Sequence, residues 1–276
     1  MEIIMAMQLN SMFFSATGTT KKVVSAMTGH ISKLAEARGT INIIDFTLPA
    51  SRQQAPSFSE KDLVIIGIPV IAGRVPNVLL KYLNSIHGNG ALAAAVVVYG
   101  NRNYDDALVE LKDILELDGF KVVAGGAFIG EHSFSKVLAA NRPDDNDLAK
   151  IEDFARKIYN KITNEKVVKP LQIKGDKPYR DYYKPRDKEG NPVDFRKIKP
   201  KTTEDCIDCK LCANICPMGS IAPEDVSIIN GICIKCCACI KECPVNAKYF
   251  DSEDFIRHKN ELEIEFARRR EPEIFI

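Results

Sequence analysis

Residues 8–21, QLNSMFFSATGTTK, pass from an apolar, strand-like run through a turn crowded with hydroxyls into a helical pattern. A helix N-terminus presents unpaired backbone N–H groups and a partial positive charge, which suits an anion. Ser15, Thr17, Thr19 and Thr20 can add hydroxyl donors around Ala16, and Gly18 lets the backbone curl close to whatever is held. The turn lacks the GxxxxGKS/T pattern of a nucleoside-triphosphate loop and the GxGxxG pattern of a dinucleotide fold. A monophosphate held by amides and hydroxyls suits what remains. The plainer reading of the same residues is a Ser/Thr-rich cap that serves only the helix.

Around that turn, apolar runs at 8–14, 40–46, 62–68, 92–99 and 121–128 alternate with helical patterns at 19–38, 75–86, 104–118 and 144–162. VIIGI (64–68) and AAAVVV (93–98) are nearly continuous apolar runs, as in parallel strands covered on both faces. Five strands with interleaved helices predict an α/β fold built on a five-stranded, doubly wound parallel sheet. Right-handed crossovers gather the turns that follow the strands along one edge, where a ligand belongs.

The S-x-T-G-x-T pattern at the end of the first strand resembles the T-x-T-G-x-T phosphate loop of flavodoxins, with Ser15 keeping the hydroxyl of the first threonine. The resemblance implies FMN as the ligand, its phosphate on residues 15–20 and its ring between the loops after the third and fourth strands. Those loops hold Pro69, Val70, Ile71, Ala72 and Gly73, and then Tyr99, Gly100, Asn101 and Tyr104. The first lacks the aromatic residue that many flavodoxins place there, with Val70 or Ile71 as an apolar substitute. Tyr99 or Tyr104 would stack on the ring, Tyr104 slightly preferred. In GEHSF (130–134), His132 faces the same edge and would donate to the flavin or contact a substrate, unless it is an incidental loop residue.

The chain has 276 residues, 45% apolar and 27% charged, with a formal net charge of +1. That is ordinary globular composition, with no global field to attract nucleic acid and no apolar run of the ~18 residues a membrane helix needs. All nine cysteines lie between Cys206 and Cys243. Disulfides would be spread to close loops, whereas dense clustering beside a cysteine-free region reads as a metal module in a reducing compartment. Cys206-x2-Cys209-x2-Cys212-x3-Cys216-Pro217 repeats as Cys233-x2-Cys236-x2-Cys239-x3-Cys243-Pro244 at an offset of 27 residues. Structural zinc sites also use short cysteine gaps, but usually as two pairs separated by a longer loop. The C-x2-C-x2-C-x3-C-P spacing resembles that of bacterial two-cluster ferredoxins over about 45 residues. The resemblance implies two 4Fe–4S clusters, one on Cys206, Cys209, Cys212 and Cys243, the other on Cys233, Cys236, Cys239 and Cys216. Cys237 falls outside the repeat, opposite Lys210, and reads as a plain buried thiol.

Residues 166–201 carry 12 Lys and Arg against 5 Asp and Glu, with five prolines and no periodicity. They read as a linker, most simply a solvated connector, or else an arm that docks an acidic partner or the cysteine module. The expected division is 1–165 for the FMN domain, 166–201 for the basic arm, 202–250 for the small α+β two-cluster domain and 251–276 for a helical tail. Residues 1–14 are apolar but start without a basic segment, so they read as a strand and the protein as cytoplasmic. YGNRNYDDAL and GEHSF extend the likeness to flavodoxin–ferredoxin fusion proteins of anaerobic microbes, over most of residues 5–250. That resemblance implies an FMN and iron–sulfur electron carrier that works with protein donors or acceptors, without nucleic acid or membrane; oligomeric state stays open. The alternative is a flavin-dependent reductase fed through its clusters, with Glu131, His132, Arg74 or Asp105 as proton donor.

Overall fold

The computed structural model describes residues 7–36, 40–164 and 170–276. The apolar start at 1–6, the end of the first predicted helix at 37–38 and the boundary expected at 165–166 lie outside the described residues. Strands β1 (Gln8–Phe13), β2 (Asn42–Asp45), β3 (Asp62–Pro69), β4 (Leu92–Tyr99), β5 (Lys121–Ile129) and β8 (Glu273–Phe275) form one sheet in the order β2-β1-β3-β4-β5-β8. The first five run parallel, with Met12 beside Ile66 and Ile66 beside Ala95. Strand order reverses at β1, and such a switch point opens a crevice at the strands' C-terminal ends.

The apolar runs become strands because both faces are covered. Helices α1 (Thr19–Leu34) and α4 (Asp145–Asn164) cover one face, burying Val23, Met27, Ile31, Ile151, Phe154 and Ile158 against Phe13, Ile65 and Phe128. Helices α2 (Asn77–Leu83) and α3 (Ala107–Leu117) cover the other, where Leu79, Leu83, Leu108 and Leu111 pack on Met12, Ile66 and Val97. Gly67 lies under α1: a Cβ there would come within 2.3 Å of Val24 Cγ2. Among the described residues no helix is long and apolar enough to cross a membrane.

Two expectations are corrected. The sheet has six strands, and the stretch 251–276 is more than a helical tail. After α7 (Glu253–Glu265) the chain returns to the sheet and β8 pairs antiparallel with β5, Ile274 opposite Gly126. Three residues are too few to show an alternation, so nothing in the pattern marks EIF as a strand. The basic arm is docked on the main sheet domain. Leu171 is buried in the core, and the Asp106 carboxylate accepts the backbone N–H groups of Asp176 and Arg180 at 2.9 and 2.7 Å. The Arg74 guanidinium lies over the rings of Tyr179 and Tyr182, at 4.8 and 5.0 Å from their centroids.

Candidate functional site

A cavity of about 260 Å³ lies at the C-terminal edge of the sheet, over the switch point. Ser15, Ala16, Thr17, Thr19 and Thr20 line it from the turn after β1, and Pro69, Val70, Ile71, Ala72 and Gly73 from the loop after β3. Gly18 forms the left-handed N-cap of α1 at φ 78°, with no acidic side chain in the first turn to compete for an anion. The Ser15 hydroxyl accepts the Lys21 N–H at 3.0 Å, and the Ser15 N–H donates to Thr47 Oγ1 at 2.8 Å. The turn is thereby fixed from both sides.

The loop after β4 divides differently from the sequence reading. Tyr99 and Gly100 line the cavity, joined by Arg102 and Asn103. Asn101 and Tyr104 are absent from its wall. Asn101, at φ 65°, donates to the carbonyls of Phe266 and Arg268 at 2.7 and 3.0 Å, and Tyr104 donates to Glu273 at 3.1 Å. Both residues therefore hold the returning tail. Tyr99 becomes the aromatic residue of this loop at the cavity, its phenol pushed up to about 12 by burial.

Of the four proton-donor candidates, two reach the cavity. Glu131 and His132 line it, whereas Arg74 is tied to Glu110 by two hydrogen bonds of 2.7 Å and Asp105 is paired with Arg102. His132 Nδ1 accepts the Phe134 N–H at 3.1 Å, so in the neutral ring Nε2 carries the proton. Burial, then the nearby Lys241, His258 and Arg102, lowers its pKa to about 4, against a weaker opposing pull from Glu263. Gly100 permits this placement: a Cβ there would come within 2.5 Å of His132 Cδ2.

Sequence reasoning missed the rest of the wall. Tyr183, Pro185 and Phe195 come from the arm, His258 and Leu262 from α7, and Ile234, Lys235 and Cys236 from the cysteine module. No local pattern marks them, because they are brought to the cavity by the path of the chain around it.

The cysteine module repeats in three dimensions at the offset seen in the sequence. Short helices α5 (Leu211–Asn214) and α6 (Ala238–Lys241) correspond. So do the left-handed residues Asp208 and Lys235, Lys210 and Cys237, and Gly219 and Asn246, all with φ between 53° and 60°. In each half a backbone N–H approaches the last sulfur: Ser220 to Cys216 Sγ at 3.4 Å and Ala247 to Cys243 Sγ at 3.2 Å. Strands β6 (Lys201–Thr202) and β7 (Lys248–Tyr249) close the module.

The cysteines face two small hollows. One, of about 20 Å³, is lined by Cys206, Cys209, Cys212 and Cys243; the other, of about 30 Å³, by Cys216, Cys233, Cys236 and Cys239, with Cys237 as a fifth. Cys237 aside, each hollow thus takes three cysteines from one half of the repeat and the last from the other. Burial pushes the Cys236 thiol up to about 12 and raises Cys239 and Cys237 as well. At Cys243 burial acts upward too, but the N–H groups of Val245, Ala247, Lys248 and Asn246 outweigh it and the net direction is down. Among the described residues, no three His, Cys, Asp or Glu side chains gather as a single-ion site. Cys237 Sγ lies 3.5 Å from the Lys235 carbonyl, in a buried position.

The module is fastened to the cavity. Lys241 pairs with Glu131 and donates to the His132 carbonyl at 2.9 Å, and Arg52 donates to the Pro217 carbonyl at 2.7 Å.

No protein-family model matches the chain, and no curated protein matches it. Solved structures do. A flavodoxin from the domain Archaea is 16% identical over 57% of this chain and 100% of its own, with a TM-score of 0.41. A Streptococcus pneumoniae TIGR4 flavodoxin is 16% identical over 56% of this chain and 99% of its own, at 0.39. The apo form of an NADH:FMN oxidoreductase is 15% identical over 59% of this chain and 93% of its own, at 0.41.

Proposed function

We propose that the chain is an electron-transfer protein that holds FMN in the sheet-edge cavity and two 4Fe–4S clusters in the cysteine module, and exchanges electrons with protein partners. The observation that carries this reading is the sorting of eight cysteines into two hollows as crossed sets of four. That crossing is the ligand pattern of two-cluster ferredoxins. Cys206, Cys209, Cys212 and Cys243 would hold one cluster and Cys216, Cys233, Cys236 and Cys239 the other. The N–H groups aimed at Cys216 and Cys243 would stabilise the thiolate charge.

For FMN, Ser15–Thr20 would hold the phosphate with amides and hydroxyls, and Val70, Ile71 and Tyr99 would supply the apolar walls for the ring. When bound, a flavin takes one or two electrons and each cluster takes one, so the pair converts between the two valencies. At about 260 Å³ the cavity falls just below the ~300–1,000 Å³ typical of small-ligand pockets, which suits one cofactor better than a cofactor with a substrate. Glu131 and His132 are the residues a reductase reading would need, and both border the cavity.

Anaerobic purification with iron, sulfide and flavin counts tests the proposal. About eight irons and one FMN per chain are expected. Cys237→Ala should leave the count unchanged and Cys236→Ala should lower the iron. A colourless, flavin-free chain, or an iron count unaffected by Cys236→Ala, would refute it.

A further inference from the structure

Resting on that reading, we infer that the two cysteine sets are unequal in place and order. The set Cys216, Cys233, Cys236 and Cys239 is the inner one, which exchanges electrons with the flavin through Cys236. The set Cys206, Cys209, Cys212 and Cys243 is the outer one, which meets the external partner.

Cys236 lines the flavin cavity and the inner hollow at once, as do its neighbours Ile234 and Lys235. A group bound in either cavity is therefore separated from the other by one side chain. The outer hollow shares no lining residue with the flavin cavity or with the inner hollow.

A second connection points the same way. Phe250 lines the inner hollow, its ring is 4.1 Å from that of Phe255, and Phe255 is 4.8 Å from Phe134, which lines the flavin cavity. This aromatic stack runs from the inner hollow to the cavity. Of the eight repeat cysteines, the exposed one, Cys209, lines the outer hollow, with Ile207 and Leu211 62% and 36% exposed beside it.

The arm and α7 make the order matter. Tyr183, Pro185, Phe195, His258 and Leu262 stand over the cavity, where a flavin used by an external protein would need a bare edge. The transfer is of single electrons in either direction and moves no atoms. With the cofactors bound, an electron leaving the inner set would pass by Cys236 to the flavin, and the outer set would refill the inner one from an external one-electron carrier protein. Electron flow out of the flavin reverses each step.

The test reads cluster potentials. A bound flavin changes the charge and water content around a cluster it abuts, and both set the potential. Cys206→Ala with Cys209→Ala removes the outer set, and Cys233→Ala with Cys239→Ala removes the inner set. Each protein is titrated with dithionite, with and without FMN, while the remaining cluster is followed by electron paramagnetic resonance. The cluster left after removal of the outer set should shift its potential when FMN is withdrawn; the one left after removal of the inner set should not. Should the Cys233 and Cys239 pair prevent folding, Cys216→Ala from the other half of the repeat removes the same set.

A shift confined to the outer cluster, equal shifts in both, or no shift in either overturns the order. An intact chain that holds both clusters and FMN but gives one of those results overturns the order alone. A chain that binds neither iron nor FMN overturns the underlying reading as well.

Discussion

His132 shows how far a residue's role depends on surroundings the sequence does not display. Its neutrality follows from burial and from Lys241, His258 and Arg102, which arrive from the cysteine module, α7 and the β4 loop, against a weaker pull from Glu263. Unfolded, the imidazole titrates near 6.5; folded, near 4. Between those values the unfolded chain binds more protons, so the contribution is fully present above about pH 6.5 and is lost as the pH falls toward 4. The linkage is at most about 3 kcal/mol. Urea melts of the parent and of His132→Gln should converge in stability as the pH is lowered from 7 to 4, and the comparison cancels acid effects on the cysteines. A constant difference across that range would show that His132 titrates normally. The same contrast separates legible residues from hidden ones. That Ser15–Thr20 form one turn at the cavity's edge and that the repeat cysteines gather about two hollows was readable, because their spacing is local. Asn101 and Tyr104 sit in the loop after β4 but outside the cavity wall, bonded to the returning tail.

At the scale of elements, β3 and β4 were legible as continuous apolar runs, and the long helices by their apolar spacing. The β8 strand and the docked arm were not, since one is three residues long and the other has no period. Their positions are set by polar contacts with distant partners. Asn101 is the hub of the tail: besides its two donations to the Phe266 and Arg268 carbonyls, its Oδ1 accepts the Arg270 N–H at 3.2 Å. Arg142 adds a hydrogen bond to the Arg270 carbonyl at 2.8 Å. Replacing Asn101, which is only 2% exposed, by alanine strands three backbone groups, so the expected loss is about 1–3 kcal/mol. Hydrogen exchange should then speed up in Glu273–Phe275 and along β5, where β8 pairs. Unchanged exchange there would mean that β8 is held by its strand pairing alone.

At the scale of the whole molecule, the cavity belongs to no single segment. The β loops form its floor, while the arm, α7 and the cysteine module complete its walls. The module itself has a small core, chiefly Ile221, Val226, Ala238 and Ala247, and burial raises its Cys236 and Cys239 thiols, the latter against the opposing charge of Lys248. A metal that binds such thiols contributes directly to folding the segment around them. Under the proposed reading, iron therefore orders Ile234, Lys235 and Cys236, three residues of the flavin wall. Loss of iron should loosen that wall, and by thermodynamic reciprocity FMN should slow the loss of iron. Couplings of this kind typically amount to about 1–3 kcal/mol, or about 5–150-fold in affinity. Fluorescence titration of FMN into the iron-loaded chain and into the chain stripped by an iron chelator measures the first half. The chelator's rate of iron removal with and without FMN measures the second. Weaker FMN binding without iron, together with slower iron loss with FMN, is the expected pair. Equal FMN affinities in the two forms would show that the wall stands without its metal, and would leave the two sites as neighbours without energetic coupling.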